Sequence, residues 1–315
     1  MSHRVVVLPG DGIGPDVVAA AQRAIAATGV AIEWDQHAAY GDELVAAAVQ
    51  AGAVLKGPVG ATGGGRSPNL ALRDALGLEL GVRPCRGNGR DVVVTRMLAG
   101  DLYAGIEFAA ERAAPLRGLA PAIPADAAVA LKPISRAAVM AAAVRAFAWA
   151  RDHGRSRVTI VHKATVMPAT DGLFLAAARE QAADFPQLTI DDRLVDAVCH
   201  DLVTGRDRLN VLFAPMLYGD ILSDVCAGLT GGLGFAPGVN LGRECAVFEA
   251  VHGTARRHAG RGTASPIALI RSGAMLLEYL GEHTAAERVQ AATDAVAAQP
   301  PAGTQAQLDA VLAGL

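Results

Sequence analysis

Apolar and polar residues alternate along the chain in blocks whose lengths suit strands and helices in turn. Residues 4–8 (RVVVL) form a short run rich in β-branched side chains, as expected for a buried strand. A glycine-rich segment follows at residues 10–14, and Pro15 then opens an apolar-periodic segment that continues to about residue 27. Proline in a first turn and glycine just beyond a last turn, here Gly29, are typical of helix boundaries. The chain therefore begins with a predicted strand and helix.

The same alternation continues to the C-terminal region. Residues 30–35 predict a strand, 42–50 a helix and 53–55 a strand, so the chain opens as β-α-β-α-β, which is typical of an α/β sheet. Residues 112–134 hold four prolines and few charges, and predict an extended arm. Further predicted strands are residues 91–95, 157–161, 188–191 and 210–214, and further predicted helices are residues 137–153, 171–185, 194–204, 220–230, 266–281 and 284–298.

Composition and charge narrow the class of protein. The 315 residues suggest two domains, and a formal net charge of −3 disfavours a broad nucleic-acid surface or a basic membrane patch. The four cysteines are widely spaced without a C-x-x-C pair, which indicates free thiols in a reducing compartment. The N-terminal residues lack the apolar core of a signal peptide, and the longest apolar stretch, 137–150, is interrupted by Arg145. We expect a cytoplasmic protein without nucleic-acid or membrane partners.

The glycine-rich segment leaves two interpretations open. Gly10, Gly12 and Gly14 stand between a predicted strand and a predicted helix, and Glu33 and Asp35 follow about 20 residues on, where dinucleotide-binding folds place an acid for a ribose. The spacing is G-x-G-x-G, however, whereas the phosphate-binding fingerprint is G-x-G-x-x-G. A structural turn between strand and helix is the alternative.

Two aspartates four residues apart suggest a metal site. Asp220 and Asp224 lie on one face of a predicted helix, where their charges repel and a divalent cation such as Mg²⁺ or Mn²⁺ would compensate them. A solvated helix start, where the dipole favours acids, is an equal alternative. Asp196, a single acid in an apolar helical pattern, is a candidate third ligand.

Other polar residues suit the binding and chemistry of a small polycarboxylate. Guanidinium groups bind carboxylates with paired hydrogen bonds, although a single arginine is more often a surface residue. Proton transfer has two candidates, Tyr103 and Lys163, and either could be structural. Residues 248–255 (FEAVHGTA) suggest a loop that closes on a ligand, although His252 alone is more often structural. The candidate binding residues are Ser67, Asn69, Arg73, Arg83 and Arg96, with Arg66 beside them.

Together these segments resemble the isocitrate and 3-isopropylmalate dehydrogenase family, the metal-dependent β-decarboxylating dehydrogenases. The resemblance extends from about residue 8 to about residue 281, and it is specific because several motifs occur in order at compatible spacing. The motifs are residues 8–15 (LPGDGIGP), Lys56-Gly57-Pro58, Ser67-x-Asn69-x-x-x-Arg73, Arg83-Pro84, Arg96 with Tyr103, His162-Lys163, Asp196, Gly219-Asp220-x-x-x-Asp224, residues 231–238, and Glu249-Ala250-x-His252-Gly253-Thr254-Ala255.

The resemblance implies an α/β fold of two domains without a Rossmann domain, which makes the glycine-rich segment a turn. Residues 1–80 and 231–315 would form a large cofactor-binding domain, and residues 81–230 a smaller inserted domain with the metal site. Glycine-rich loops at 60–65 and 231–242 would lie where ligands approach.

The implied partner is a second copy of the chain. The arm at 112–134 would clasp this copy, and Lys163 and Asp196 would act in the neighbouring subunit's site. In that site the resemblance gives Lys163 the relay of the hydroxyl proton and Tyr103 the protonation of the enol, with Asp196 as a third catalytic residue. The implied ligands of Mg²⁺ or Mn²⁺ are Asp196, Asp220 and Asp224.

Substrate and cofactor follow from the same comparison. Arg73, Arg83 and Arg96 would hold carboxylates, and Ser67 and Asn69 match the isocitrate branch, so we expect an acidic side group on the substrate. The cofactor residues would be Glu249, His252, Gly253, Thr254, Ala255, Arg256, Arg257, His258 and Ser265.

Some residues depart from the family's pattern. Arg257 replaces the aspartate of NAD enzymes, which favours NADP, with NAD as the alternative. Thr165 replaces an asparagine beside Lys163, and Ser265 another asparagine. The sequence thus predicts oxidative decarboxylation of isocitrate or an analogue such as a phosphonate. The alternatives are a 3-isopropylmalate-, tartrate- or malate-type dehydrogenase and a non-catalytic regulatory subunit.

Overall fold

The computed structural model of the chain describes residues 2–60, 67–205 and 209–315. Strands and helices alternate along most of these residues. The strands are β1 (His3–Leu8), β2 (Ile32–Gln36), β3 (Ala53–Lys56), β4 (Leu78–Gly87), β5 (Arg90–Met97), β6 (Glu107–Phe108), β7 (Val129–Ala130), β8 (Arg157–His162), β9 (Thr189–Leu194), β10 (Val211–Ala214), β11 (Pro237–Gly242) and β12 (Ala246–Ala250). The helices are α1 (Gly14–Ala26), α2 (Asp42–Ala51), α3 (Pro68–Ala75), α4 (Ala114–Leu119), α5 (Arg136–Asp152), α6 (Thr170–Ala182), α7 (Val195–Thr204), α8 (Met216–Leu229), α9 (Ile267–Tyr279), α10 (His283–Ala298) and α11 (Thr304–Ala313).

These elements form two compact units. Unit 1 comprises Met1–Val94 and Ser223–Leu315, and unit 2 comprises Thr95–Leu222. The breaks fall at 94/95 and 222/223, whereas the sequence places domain boundaries at 80/81 and 230/231. The first difference has a physical cause, because β4 is paired with β11 of unit 1 and Val82 stands opposite Val239.

Unit 1 is built on a mixed sheet with the strand order β2-β1-β3-β12-β11-β4. The first four strands in this order run parallel, whereas β11 is antiparallel to both of its neighbours. Val5, Val6 and Val7 are fully buried, as expected for a strand covered on both faces. Helix α9 is buried along nearly its whole length against α1, α10 and the strands β11 and β12.

Unit 2 contains the parallel strands β10, β8 and β9, in that order. The end of β5 also belongs to this unit, where the Thr95 hydroxyl donates to the Leu212 carbonyl at 2.9 Å. The core is aromatic: Phe174 and Phe213 stack with their ring centroids 5.0 Å apart, and Phe147 meets Phe213 edge-on. None of the helices formed by the described residues is long and apolar enough to cross a membrane.

The predicted elements are present with ends shifted by a few residues, with one correction. The arm at 112–134 is not extended throughout, because residues 114–119 form α4 with a proline in the first turn, where its missing amide hydrogen is not needed. Strands β4 and β11 were not predicted, since glycine, proline and arginine interrupt their apolar pattern. The four cysteines are free thiols, as the sequence indicates.

Candidate functional site

The glycine-rich segment of unit 1 is a strand-to-helix turn whose amides are used internally. Gly10 has φ +75°, and a Cβ there would lie 2.2 Å from the Pro58 carbonyl oxygen, so no larger residue fits. The amide of Asp11 donates to Pro58 O at 2.7 Å, and the amide of Ile13 donates to Thr254 O at 3.1 Å. These hydrogen bonds join three loops to one another. The amides of Asp11 and Ile13 are therefore already bonded within the protein and are not open donors for a dinucleotide phosphate.

The three loops meet beside the predicted cofactor residues. The Asp11 carboxylate accepts the amide of Gly60 at 2.8 Å. A Cβ at Gly60 would lie 3.0 Å from Nη2 of Arg256 and 3.4 Å from the Thr254 methyl group. Gly60 therefore leaves room for Arg256 to lie across the loop.

The segment that carries Arg256 is exposed and tightly turned. Ala255 has φ +38°, a left-handed conformation that disfavours a side chain, and a single 3-10 turn follows over Arg256–His258. Arg256 and Arg257 are exposed, and His258 Nδ1 lies 3.0 Å from the Thr263 hydroxyl. The turn thus carries two exposed arginines, and the guanidinium of Arg256 lies next to the meeting loops.

Two other predicted cofactor residues have internal partners. The Ser265 hydroxyl donates to Gln307 Oε1 at 2.7 Å, which occupies its hydrogen. His252 is half-buried with Nδ1 3.1 Å from the Gly253 carbonyl oxygen. Burial lowers the pKa of His252, so this imidazole is neutral at ordinary pH.

A buried carboxylate gathers the basic residues of unit 1. Glu249 lies on β12, and its Oε2 accepts the Lys56 ammonium at 2.6 Å. Its Oε1 accepts Asn240 Nδ2 at 2.7 Å, Arg83 Nη2 at 3.4 Å and Arg73 Nη2 at 3.5 Å. We call these five residues the Glu249 cluster.

The charges of this cluster outweigh the desolvation of its carboxylate. Burial raises the pKa of Glu249, but the charges of Lys56, Arg73 and Arg83 lower it more, and the pKa lies well below its ordinary range. Glu249 is therefore ionised. Its partners in the structure are the cations Lys56, Arg73 and Arg83, whereas the sequence predicts that it contacts the cofactor.

Arg83 is held more tightly than a free substrate-binding arginine. It is 4% exposed, and Nη1 donates to the carbonyls of Val82 and Val239 at 3.0 and 2.9 Å. A Cβ at Gly238 would lie 2.9 Å from the guanidinium, so this glycine makes the space in which Arg83 lies.

The predicted residues on α3 lie at its beginning and its last turn. Ser67 is the N-cap residue, and Arg73 stands in the last turn. Asn69 donates from Nδ2 to the Val59 carbonyl at 3.1 Å, while its buried Oδ1 has no hydrogen-bond partner among the described residues. The loop at 61–65 and Arg66 lie outside the described residues.

Unit 2 brings together three predicted site residues. Arg96 on β5 donates from Nη1 to Asp220 Oδ1 at 2.5 Å, and the Tyr103 hydroxyl donates to the other oxygen of Asp220. The guanidinium carbon lies 4.9 Å from the centre of the Tyr103 ring. A Cβ at Gly219 would lie 2.5 Å from Arg96 Cγ, so only glycine allows the arginine to pass this turn of α8.

The hydroxyl of Tyr103 is kept protonated. Burial and the hydrogen bond to Asp220 both raise the pKa of Tyr103, with burial the larger effect. Tyr103 is therefore an acid at ordinary pH, which is the form that the predicted protonation of an enol requires.

A second pair in unit 2 contains the other proton-transfer candidate. Lys163 follows β8, and its Nζ donates to Asp196 Oδ1 at 2.5 Å. The hydrogen bond from Lys163 lowers the pKa of Asp196. Asp196 is 64% exposed at its side chain and lies at the start of α7, whereas Asp220 and Asp224 lie on α8.

The described residues of one chain form no complete metal site. Within the part of the chain that the structure describes, no three His, Cys, Asp or Glu side chains are close enough to hold a metal ion. The predicted ligand set of Asp196, Asp220 and Asp224 therefore stays a prediction. In that prediction, Asp196 comes from the neighbouring subunit.

Several residues with clear structural connections to the site were not predicted. In unit 1 these are Asn240 and Lys56, which the sequence names only within the motif Lys56-Gly57-Pro58 and without a role in the site. In unit 2 they are Lys132, Asp101 and Asp171, whose contacts join residues far apart in sequence.

Comparison with known proteins decides the family. Residues 4–306 match the family model described as isocitrate/isopropylmalate dehydrogenase. The chain belongs to this family. It is 37% identical over 314 residues to a probable mitochondrial NAD isocitrate dehydrogenase subunit alpha of Drosophila melanogaster, covering 92% of this chain and 79% of that protein.

Two other similar proteins represent the isopropylmalate and the isocitrate enzymes of the family. The chain is 36% identical over 310 residues to a 3-isopropylmalate dehydrogenase of Archaeoglobus fulgidus, covering 92% of this chain and 90% of that protein. A solved structure of isocitrate dehydrogenase from Methylococcus capsulatus has 36% identity and a TM-score of 0.90, and 99% of each chain is covered.

The predicted fold and enzyme class are confirmed by this membership. The chain has the α/β fold of the isocitrate/isopropylmalate dehydrogenases, and it is an oxidoreductase of this family. The relatives divide between isocitrate and isopropylmalate enzymes.

Proposed function

We propose that the protein catalyses the oxidative decarboxylation of a 3-carboxylated malate with an acidic side group, isocitrate or an analogue such as a phosphonate. The observation that carries the proposal is the meeting of Arg96 and the protonated Tyr103 on the carboxylate of Asp220. This arrangement places an anion-binding guanidinium and a proton donor at one point.

The side chains of the chain supply the binding and the proton transfers. Arg96 would bind a substrate carboxylate through paired hydrogen bonds. Lys163 would accept the proton of the 2-hydroxyl as hydride leaves C2. Tyr103 would donate its proton to the carbon that loses CO₂.

The residues present fit a divalent cation. Asp220 and Asp224 offer carboxylates one helical turn apart on α8, Asp224 is exposed, and carboxylate oxygens are the ligands that such a cation prefers. With Asp196 of a neighbouring subunit, these residues would hold Mg²⁺ or Mn²⁺, which supplies Lewis-acid stabilisation of the enolate.

The cofactor that fits best is NADP. Its 2′-phosphate needs cations, and the exposed Arg256 and Arg257 stand beside the meeting loops of unit 1 without an acid in their own turn. The similar protein from Drosophila melanogaster is named as an NAD enzyme. Activity with NADP and activity with NAD therefore have to be compared directly.

A panel of substrates with each cofactor and Mn²⁺ tests the proposal. We expect formation of reduced cofactor, with the highest kcat/KM for a substrate that has an acidic side group. Inactivity on isocitrate, isopropylmalate, tartrate, malate and phosphonate analogues would leave the regulatory-subunit alternative.

One substitution tests the choice of cofactor. Arg257→Asp should shift the NADP/NAD ratio of kcat/KM toward NAD by about 10–100-fold, since a hydrogen bond to a charged group contributes about 1.5–3 kcal/mol. Arg261→Asp, in the same exposed segment, is the matched control. An equal shift in both variants would refute the assignment.

A tartrate-type substrate is the second candidate, and Asn69 favours it. The buried Oδ1 of Asn69 would accept a hydrogen bond from a hydroxyl group, whereas it would repel a carboxylate. Asn69→Leu should lower kcat/KM for tartrate, whose side group is a second hydroxyl, more than for isocitrate if this candidate is correct.

We further propose a cytoplasmic homodimer with shared active sites. If Lys163 serves the partner's site, Lys163→Met and Tyr103→Phe are each nearly inactive, but their co-expression restores about a quarter of wild-type activity, since half of the dimers are mixed and each has one intact site. No recovery in mixed dimers would overturn the shared site.

A further inference from the structure

Unit 2 contains a buried ionic network that accepts the backbone amides of Lys163 and of Leu102, the residue before Tyr103. It consists of Lys132, Asp101, Asp171 and Tyr218, and we call it the Lys132 network. Both carboxylates are fully buried. The proposed chemistry uses none of these residues.

Asp171 holds the segment that carries Lys163. Its Oδ2 accepts the backbone amide of Lys163 at 2.7 Å, and its Oδ1 accepts the ammonium of Lys132. Asp171 stands in the first turn of α6. The carboxylate thus ties the residue after β8 to a helix that packs in the core of the unit.

Asp101 holds the turn that carries Tyr103. Its Oδ1 accepts the amide of Leu102, the first residue of the 3-10 turn Leu102–Ala104, and its Oδ2 accepts the amide of Leu217 near the start of α8, each at 2.8 Å. Asp101 has φ +56°, which a residue with a side chain rarely adopts. These hydrogen bonds stabilise that conformation and join the turn to the helix of Asp220.

Lys132 lies between the two carboxylates. Its ammonium donates a hydrogen bond to Asp171 in an ion pair. The same group is 3.9 Å from Asp101 Oδ1 and 4.7 Å from the centre of the Tyr218 ring. The side chain is 11% exposed. Two buried carboxylates are unfavourable unless a cation compensates them, and Lys132 supplies that charge.

Tyr218 completes the network as a neutral member. Burial, the charge of Asp171 and a hydrogen bond with it raise the pKa of Tyr218 far above its ordinary value. The hydroxyl therefore remains protonated next to the carboxylate.

We propose that Lys132 is a positioning residue for proton transfer: by compensating Asp101 and Asp171, it holds the turn that carries Tyr103 and the backbone of Lys163 where these residues act. Lys132 itself touches no reacting atom. The inference rests on the proposed function for the roles of Tyr103 and Lys163, whereas the network can be tested without it.

The central experiment compares Lys132→Met with Arg136→Met in the full-length protein. Arg136 is half-exposed, pairs with the half-exposed Glu180 and lies four residues further on, so its substitution removes a cation without touching the network. Lys132→Met should lower kcat at least about tenfold with KM changed less than about threefold, because small displacements of proton-transfer groups slow chemistry more than binding. Arg136→Met should match the wild type.

Two further readouts separate positioning from a general loss of fold. The solvent deuterium isotope effect on kcat should rise in Lys132→Met, since proton transfer becomes more rate-limiting. Hydrogen exchange at the amides of Lys163 and Leu102 should accelerate about tenfold or more, while the amides of β8 keep their protection. Lys132→Arg, which restores the charge, should recover much of both. If Lys132→Met does not fold, Lys132→Gln takes its place, because it keeps a donor and removes the charge.

Each outcome decides the question. Unchanged exchange at both amides overturns the proposal, as does accelerated exchange with unchanged kcat. A lower kcat with an unchanged isotope effect shows only a smaller folded fraction and also overturns it. A wild-type protein inactive with every substrate refutes the proposed function, and the exchange measurement then still decides whether Lys132 holds the two backbones.

Discussion

Replacing Glu249 with glutamine would leave three cations facing a neutral amide. Lys56 and Arg83 are 3% and 4% exposed at their side chains, and Arg73 is 13% exposed, so water cannot replace the lost charge. Removal of one partner of a buried ion pair typically costs about 3–5 kcal/mol, because the remaining charges stay desolvated. The substitution is nearly isosteric, so packing contributes little.

The magnitude can be expressed as a melting temperature. Each kcal/mol lowers the melting temperature of a domain of 150–250 residues by about 2–4 °C. Unit 1 has about 190 residues, so we expect Glu249→Gln to melt about 6–20 °C below the wild type by calorimetry. Glu79→Gln is the control, since Glu79 pairs with Arg243, whose side chain is 78% exposed, and such surface pairs contribute about 1 kcal/mol or less.

The pH dependence follows from the direction of the pKa shift. The pKa of Glu249 is lowered on folding, so its ionisation stabilises the fold above the ordinary carboxyl pKa and this contribution is lost as the pH falls toward the lowered value. Between about pH 5 and pH 3, the wild type should lose stability more steeply than Glu249→Gln. A variant that melts within about 2 °C of the wild type, with a parallel pH profile, would refute this account of the Glu249 cluster.

Three further predictions concern the turn of α8, the proton donor and the thiols. Gly219→Ala should destabilise unit 2 by about 1–3 kcal/mol and reduce activity, since its Cβ would lie 2.5 Å from the neighbouring arginine side chain, whereas Gly228→Ala on the same helix meets nothing within 4 Å and should be neutral or stabilising in a denaturant titration. Tyr103→Phe should lower kcat about 10²–10⁴-fold with little change in KM, and a steady-state assay with an unchanged kcat would exclude it as the acid. Burial raises the pKa of Cys245 to about 12, so a thiol reagent at neutral pH should leave it unlabelled in the native protein and modify the half-buried Cys199 first, as peptide mass spectrometry would show.

Local sequence patterns determined most of the elements of this protein. The apolar run before Gly10 predicts β1, and the proline at 15 predicts the start of α1. The structure contains both elements. Such boundaries can be predicted because they depend on residues that are neighbours in the sequence. Strand β4 was not predicted for the converse reason: it contains a buried arginine at 83, whose partners on β11 and β12 are distant in sequence.

The candidate site divides in the same way. The order and spacing of the motifs identify the family and its chemistry, since residue types at fixed positions carry that information. The partners of each charge come from contacts between distant segments, as between Glu249 and Lys56 or between Lys132 and Asp171. Burial and the approach of opposite charges, which set whether a carboxylate is ionised and where a backbone is held, exist only once the chain is folded, and so the tertiary structure alone decides them.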